Sequence, residues 1–343
     1  MRNARLSRFH WTPMRLGLAL AALTASSAAF PSIAADAQDP TEFAVAAEGQ
    51  VSLYARTIGS GPPTIVLHGG PDFDHAYLLP DLDRLADVVQ LIYYDQRGRG
   101  RSADGVVAQD VTIASEMEDI ERIRQHFGKK PVVLFGHSWG TVLALEYALR
   151  YPAHVSALIL MNPAPASTSD VALLRTAYLK KLGTSLAEQQ RSLLAGKAYQ
   201  SGDPEAVAAR YRIHFTPALV RREHYEQLMT AMKAQFIKQG KSGILKARAV
   251  EDHLMSVTWQ VPDYDLLPKL SSLRVPILVI TGESDFIPVS ISEHIAERVP
   301  DAELIVLKEC GHFAYLEDRE NVHETVSRFI EKMRQPVMDR LDD

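Results

Sequence analysis

Ser138 is the residue whose setting most clearly indicates chemistry. It is the centre of Gly136-His137-Ser138-Trp139-Gly140, which fits the pattern G-x-S-x-G. Residues 132–135 predict a buried strand directly before it, and residues 141–148 predict a helix directly after it. A strand that turns at once into a helix holds the central residue on a strained corner at the top of a sheet. Ser138 is therefore the candidate nucleophile, and the alternative is an ordinary serine in a glycine-rich turn.

A serine hydroxyl needs a nearby base to react at neutral pH, and a histidine is the usual choice. Of the 12 histidines, His312 follows a predicted strand at residues 304–307, which puts it at the same edge of the sheet as Ser138. Asp285 follows a predicted strand at residues 277–281 and can hold the imidazole in the required tautomer. Glu283 competes for that role, but a residue two positions earlier is expected to point elsewhere.

The chemistry also needs donors for the negative oxygen of a tetrahedral intermediate. His68-Gly69-Gly70-Pro71 follows a predicted strand, and glycine allows close approach of the main chain. The expected donors are the backbone N–H groups of Gly70 and Trp139. A plain turn is the alternative for the loop, and His68 and His137 are expected to be structural.

Strand-like and helix-like segments alternate along most of the chain, which predicts an α/β fold with a mostly parallel, doubly wound sheet. The alternation is interrupted at residues 166–270, which are helical in pattern and rich in charge. We expect this segment to be a helical cap over the carboxyl ends of the strands, where ligands bind. The predicted core is then formed by residues 38–165 and 271–343. The strand candidates are residues 51–55, 64–67, 89–94, 131–135, 157–161, 277–281 and 303–307.

At the N-terminus, basic residues are followed by apolar residues and then by small residues, an order that is typical of a secretory signal peptide. Four arginines precede the uncharged, mostly apolar residues 16–30, and small residues follow. We expect residues 1–37 to be removed, with cleavage after Ala34 or Ala37, so that the protein is periplasmic or secreted by a bacterium. An uncleaved anchor is the alternative. Without the leader, no membrane association is expected.

Composition excludes several classes of function. The 343 residues carry 37 basic and 42 acidic side chains, a net charge of -5, which does not favour nucleic-acid binding. The single cysteine, Cys310, excludes an intrachain disulfide and four-cysteine zinc sites. No H-E-x-x-H or other zinc-ligand spacing and no G-x-G-x-x-G after a strand is present, so we expect neither a metal nor a dinucleotide cofactor. The expected partner is a small molecule or short peptide.

Together these sequence motifs resemble those of the α/β-hydrolase superfamily, in which the nucleophile, the acid and the histidine of the triad follow one another in that order along the chain. Within it, the sequence is most similar to the proline iminopeptidase (prolyl aminopeptidase) branch. The matching segments are residues 68–71, Asp95-Gln96-Arg97-Gly98-Arg99-Gly100-Arg101-Ser102, and residues 136–140, 282–285 and 311–313. The resemblance implies a Ser-Asp-His triad that releases an N-terminal residue, preferably proline, from short peptides. Two positions depart from the family, which usually has glycine at Asp72 and often at His137.

The resemblance also implies that acidic residues of the cap bind the free amine of the substrate. The candidates are Glu223, Glu226, Glu251 and Asp252, and the alternative for each is a solvated charge on a helix face. An esterase or lactonase acting on a small exported substrate would use the same triad, so it stays open as a second hypothesis. A ligand-binding receptor on the same scaffold is a third, from a different class of protein.

Overall fold

The computed structural model describes residues 39–47 and 51–338. The predicted signal peptide, residues 1–37, lies outside the described residues. Eight strands within the described part of the chain form one sheet. They are β1 Thr41–Ala46, β2 Ser52–Ile58, β3 Pro63–Leu67, β4 Gln90–Tyr94, β5 Val132–His137, β6 Val155–Met161, β7 Ile277–Gly282 and β8 Ala302–Leu307.

Helices connect the strands and fill the segment between β6 and β7. They are α1 Ile113–His126, α2 Trp139–Arg150, α3 Thr168–Leu182, α4 Thr184–Ala195, α5 Lys197–Gln200, α6 Pro204–His214, α7 Arg222–Val257, α8 Val289–Ala296, α9 Ala314–Glu317 and α10 Arg319–Met338. None of the helices in residues 39–47 and 51–338 is long and apolar enough to cross a membrane.

The sheet has the order β1-β2-β4-β3-β5-β6-β7-β8. The pairs β1–β2 and β2–β4 are antiparallel, and every later pair is parallel. From β3 the chain goes first to β4 on one side and later to β5 on the other. The direction of winding therefore changes between β3 and β5, and the crevice at such a switch point is where open α/β sheets bind ligands. The predicted mostly parallel, doubly wound sheet is confirmed.

Helices cover both faces of the sheet, and for this reason its interior strands are continuous runs of apolar residues. In β5, Val133 and Phe135 pack on one face and Val132 and Leu134 on the other. The first face carries α10 and buried residues of α6 and α7, and the second carries α1 and α2. The sheet thus holds the ends of its strands rigidly in place.

The two edge strands differ from this pattern. β1 was not among the predicted strands, because only Val45 is buried in it and a mostly exposed strand lacks a clear apolar period. β8 was predicted as a doubly buried strand, but residues 302–306 are only partly buried or exposed. A strand at an edge has only one neighbour and less cover, so its apolar residues stay partly accessible.

The residues between β6 and β7 are mainly helical, from α3 to α7, and belong to the same compact unit as the sheet. α7 is interrupted at Gly240, whose φ of 64° is outside the helical range. α6 and α7 contribute buried side chains, Val207 and Phe236 among them, to the same apolar cluster as the sheet residue Phe135.

Candidate active site

Ser138 occupies the sharp turn between β5 and α2. Its φ of 52° and ψ of -120° lie where a non-glycine residue is strained. The turn is held by bonds on both sides: the N–H of Ser138 donates to the carbonyl of Met161 at 3.1 Å, and its carbonyl accepts from the N–H of Thr141 at 2.9 Å. The chain thus keeps a strained serine at the carboxyl end of a central strand, next to the switch point of the sheet.

Two glycines allow this turn to form. A Cβ on Gly136 would lie 2.6 Å from the carbonyl oxygen of Gly140, and a Cβ on Gly140 would lie 2.0 Å from the carbonyl oxygen of Leu67. No side chain fits at either distance. The glycines of the G-x-S-x-G pattern are therefore required by the contact of α2 with β5 and β3.

His312 and Asp285 lie after β8 and β7 and are hydrogen-bonded to each other. The Nδ1 of His312 is 2.9 Å from Oδ2 and 3.1 Å from Oδ1 of Asp285. The N–H of Ile287 donates to Oδ1 at 2.9 Å, and Asn162 Nδ2 donates to Oδ2 at 2.9 Å. The carboxylate is thus held by several donors and fixes the Nδ1–H tautomer of His312, which leaves Nε2 as the proton acceptor.

The loop that carries His312 is fixed by buried polar groups. Asn162 also donates to the carbonyl of Gly311 at 2.9 Å, and Glu317 Oε2 accepts from the N–H of Gly311 at 2.7 Å. His137 Nε2 lies 2.9 Å from the carbonyl of His312 and donates to it. The imidazole is therefore positioned from the backbone as well as through Asp285.

His137 links this loop to the loop after β3. Its Nδ1 accepts from the Tyr77 hydroxyl at 2.7 Å, and the same hydroxyl accepts from the N–H of Gly69 at 2.8 Å. Burial, followed by the nearby His312, lowers the pKa of His137 to about 3, so its ring is neutral and each nitrogen keeps one role. Burial likewise lowers the pKa of His68 to about 3.

The same chain of hydrogen bonds distinguishes the two glycines of the loop. The N–H of Gly69 is used by Tyr77, whereas the N–H groups of Gly70 and Trp139 donate to no other described residue. Trp139 is the first residue of α2, where backbone N–H groups lack intrahelical partners. Gly70 has a φ of 118°, and a Cβ there would meet the backbone of Asp72 at 2.5 Å.

A cavity of about 170 Å³ joins these elements. Ser138, His312 and Gly70 line it, together with an apolar and mostly aromatic wall from the sheet loops and the helical segment. That wall consists of Phe73, Tyr77, Leu174, Tyr211, Phe215, Trp259, Phe286, Ile287 and Phe313.

The four acidic residues of the helical segment are placed very differently. Only Glu251 lines the cavity. Glu226 forms ion pairs with Arg212 and Arg222 at the surface, both at 2.8 Å. Glu223 and Asp252 are exposed and do not line the cavity.

Charged side chains meet at one wall of the cavity. Asp72, from the loop after β3, accepts a hydrogen bond from the Tyr211 hydroxyl, and Arg210 and Glu251 line the same wall. Burial, and then the Asp72 carboxylate, raise the pKa of Glu251 to about 8. Burial also raises the pKa of Asp72, against the hydrogen bond from Tyr211. Both carboxyl groups therefore release their protons more readily when a cation enters.

Several of these groups were not found from the sequence. Asn162 directly follows β6, so a polar residue at the end of a predicted strand was its one signal. Tyr77, Arg210, Tyr211 and His214, all of which line the cavity, lie in segments whose pattern does not show which face meets it. Within the described residues, no group of three or more His, Cys, Asp or Glu side chains is arranged to hold a metal ion.

Comparison with known proteins assigns the family. The sequence profile described as the alpha/beta hydrolase fold matches residues 62–319. This chain belongs to the alpha/beta hydrolase family. A proline iminopeptidase of Saccharolobus solfataricus is 28% identical over 289 residues, which cover 82% of this chain and 88% of the relative. The similarity to the proline iminopeptidase branch is thus confirmed.

Solved structures share the fold. A proline iminopeptidase of Mycobacterium smegmatis has a TM-score of 0.62 at 22% identity, covering 87% of this chain and 100% of its own. An esterase from a Rhodococcus species has a TM-score of 0.65 at 20% identity, covering 86% of this chain and 100% of its own. The same architecture therefore occurs in proteins named for amide and for ester cleavage.

Proposed function

We propose that the protein is a serine hydrolase that works through an acyl-enzyme. The Oγ of Ser138 attacks the substrate carbonyl while His312 Nε2 takes the hydroxyl proton. The N–H groups of Gly70 and Trp139 stabilise the oxyanion, and His312 returns the proton to the leaving group as the carbonyl–leaving-group bond breaks. Water then attacks the ester on Ser138 with the same base, which releases the acid and restores the serine.

One observation carries this proposal: a strained serine and a histidine hydrogen-bonded to a buried aspartate line the same cavity. The strain at Ser138 is maintained by the glycine contacts on either side of the turn. Asp285 is almost fully buried, and its two oxygens accept bonds from the backbone, Asn162 and His312. Such a network orients the base rather than merely stabilising the core.

We further propose an aminopeptidase that releases N-terminal proline or a small residue from short peptides. The curated relatives carry the name proline iminopeptidase, and the cavity has two carboxyl groups at one wall. Glu251 and Asp72 would bind the ammonium group of the substrate, because a cation there offsets the burial that raises both pKa values. Glu223, Glu226 and Asp252 have no part in this version of the amine site.

A three-substrate panel tests the assignment: a proline arylamide, the same arylamide blocked at nitrogen, and a short-chain aryl ester. Cleavage of the free arylamide, at least tenfold faster than that of the blocked one, supports the aminopeptidase. Fast ester cleavage without amide cleavage contradicts it and favours the esterase, which the aromatic cavity wall would equally accommodate. Ser138→Ala is the control, since it should abolish turnover of every substrate.

We also propose that the helical segment between β6 and β7 acts as a cap and that the chain is exported. The first rests on the residues from α3, α6 and α7 that line the cavity beside Ser138. The second rests on the order of basic, apolar and small residues in positions 1–37. N-terminal sequencing of the protein recovered from the periplasm or medium should begin at Ala35 or Gln38. Recovery of only the intact chain from the cytoplasm would refute export.

A further inference from the structure

Arg210 brings a positive charge into the cavity without a direct ion pair among the described residues, and the nearby carboxyl groups of Glu251 and Asp72 act on it only through their charges. It lines the cavity, its Nε is buried without a hydrogen-bond partner among the described residues, and no described carboxylate forms an ion pair with it. Its guanidinium carbon lies 4.2 Å from the centre of the Tyr211 ring. A guanidinium has five donors in a fork that matches a carboxylate.

His214 lies four residues further along α6, on the same face of the helix, and lines the same cavity. The Tyr178 hydroxyl is 2.9 Å from its Nδ1, whereas the other acceptors near that hydroxyl lie at 3.4 Å. Tyr178 therefore donates to Nδ1, and the proton of the neutral ring is on Nε2. Burial, and then the charge of Arg210, lower the pKa of His214, which keeps the ring neutral. His214 thus offers one N–H donor.

His214 lies near the proposed reacting groups. Phe286 packs against both histidines, with ring centres 4.6 Å from His312 and 5.9 Å from His214. His312 is the group that returns a proton to the leaving amine. His214 therefore lies close to the group proposed to protonate the leaving amine, and Arg210, one helical turn away on the same face, lines the wall that also holds Asp72 and Glu251.

We propose that Arg210 and His214 bind the carboxylate of the leaving amino acid, so that the preferred substrates are dipeptides with a free C-terminus. This rests on the proposed aminopeptidase function. One residue of extended chain spans about 3.5 Å, so the carboxylate of a dipeptide stays next to the scissile bond, whereas that of a longer peptide moves away from it. A dipeptide zwitterion also matches a cavity whose lining holds both carboxyl groups and a guanidinium.

The experiment compares Pro-Gly with its C-terminal carboxamide and with a proline arylamide. Wild type should cleave the free acid with a kcat/KM at least about tenfold above that of the carboxamide, the effect of losing a charge-assisted pair. Arg210→Gln should bring the two rates within about threefold of each other, and His214→Phe should reduce the ratio partly. Arg210→Lys, which keeps the charge, should keep most of the ratio.

Arg212→Gln is the matched control, because Arg212 is on the exposed face of the same helix and pairs with Glu226. It should leave the ratio of free acid to carboxamide unchanged. The proposal is overturned if wild type cleaves Pro-Gly and its carboxamide with about equal kcat/KM, or if Arg210→Gln keeps the wild-type preference for the free acid. Either result counts even if the arylamide is cleaved. Failure to cleave the arylamide would instead contradict the proposed function. Calorimetric binding of Pro-Gly and its carboxamide to Ser138→Ala protein tests Arg210 without any turnover.

Discussion

Replacing Gly140 by alanine tests how tightly the turn at Ser138 is built. The added Cβ would lie 2.0 Å from the carbonyl oxygen and 2.6 Å from the carbonyl carbon of Leu67. To reach even a short van der Waals contact of about 3 Å, α2 must move away from β3 by roughly 1 Å. Because Ser138 and Trp139 stand at the start of α2 and Leu67 precedes the Gly70 loop, this movement separates Ser138 and Trp139 from Gly70, the other proposed oxyanion donor. A misplacement of about 1 Å costs on the order of 100-fold in rate.

The assay is kcat/KM on the proline arylamide, with thermal unfolding measured on the same samples. We expect Gly140→Ala to lose about 100-fold in kcat/KM and about 1–3 kcal/mol of stability, the usual cost of overpacking. Gly243→Ala is the control, since its Cβ would meet only the Gln239 side chain, at 3.3 Å. If folded Gly140→Ala protein kept more than half of the wild-type activity, the close contact would not position the catalytic groups and the reasoning would be refuted.

Three further predictions concern Asp285, as the proposed acid of the triad, and Glu251, as part of the proposed amine site. Asp285→Asn should lower kcat roughly 10³- to 10⁴-fold with little change in KM, because the amide favours the wrong tautomer of His312; steady-state kinetics checks this, and a loss below tenfold would contradict it. The ratio of kcat/KM for the arylamide to kcat/KM for the ester should rise from pH 6 to pH 8, because Glu251, with its pKa raised to about 8, becomes ionised over that range. Glu251→Gln should flatten this rise. An equal slope in the variant would exclude Glu251 from the amine site. A carboxyl group with a raised pKa binds more protons in the folded state, so its ionisation destabilises the protein as pH rises from its unfolded value of 4.5 towards 8. Glu251→Gln should therefore raise Tm at pH 8.5 and not at pH 4, and the reverse order in a thermal-shift series would show that the carboxylate is stabilised by its neighbours.

The central strands were predictable because burial on both faces of the sheet makes them apolar throughout. The candidate site residues were predictable because residues that follow parallel strands lie at one edge of the sheet. A strand covered on both faces must be apolar throughout, as β5 is, and side chains directly after parallel strands reach one edge. Ser138, Asp285 and His312 each follow a strand of the parallel part of the sheet, which is why widely separated positions could be proposed as one site. β1 was missed because one edge strand with a single buried residue carries no such pattern.

The cavity wall was predictable only in part, because much of it comes from helices whose register on the sheet is set by tertiary packing. Glu251 was among four acidic candidates, and nothing in the local sequence separates it from Asp252, which is next to it and exposed. Arg210 and His214 share a helix with Arg212, yet only the first two line the cavity. Which face of a helix between β6 and β7 lines the cavity depends on contacts far apart along the chain.

The central claim is that Ser138 is activated by His312 and reacts covalently. Its most direct test is the incubation of the protein with a fluorophosphonate followed by peptide mass spectrometry, with His312→Ala protein as the comparison. We predict one adduct, on Ser138, formed in step with the loss of hydrolysis and strongly slowed in His312→Ala protein. Labelling at another residue, or turnover that continues after Ser138 is fully modified, would contradict the account.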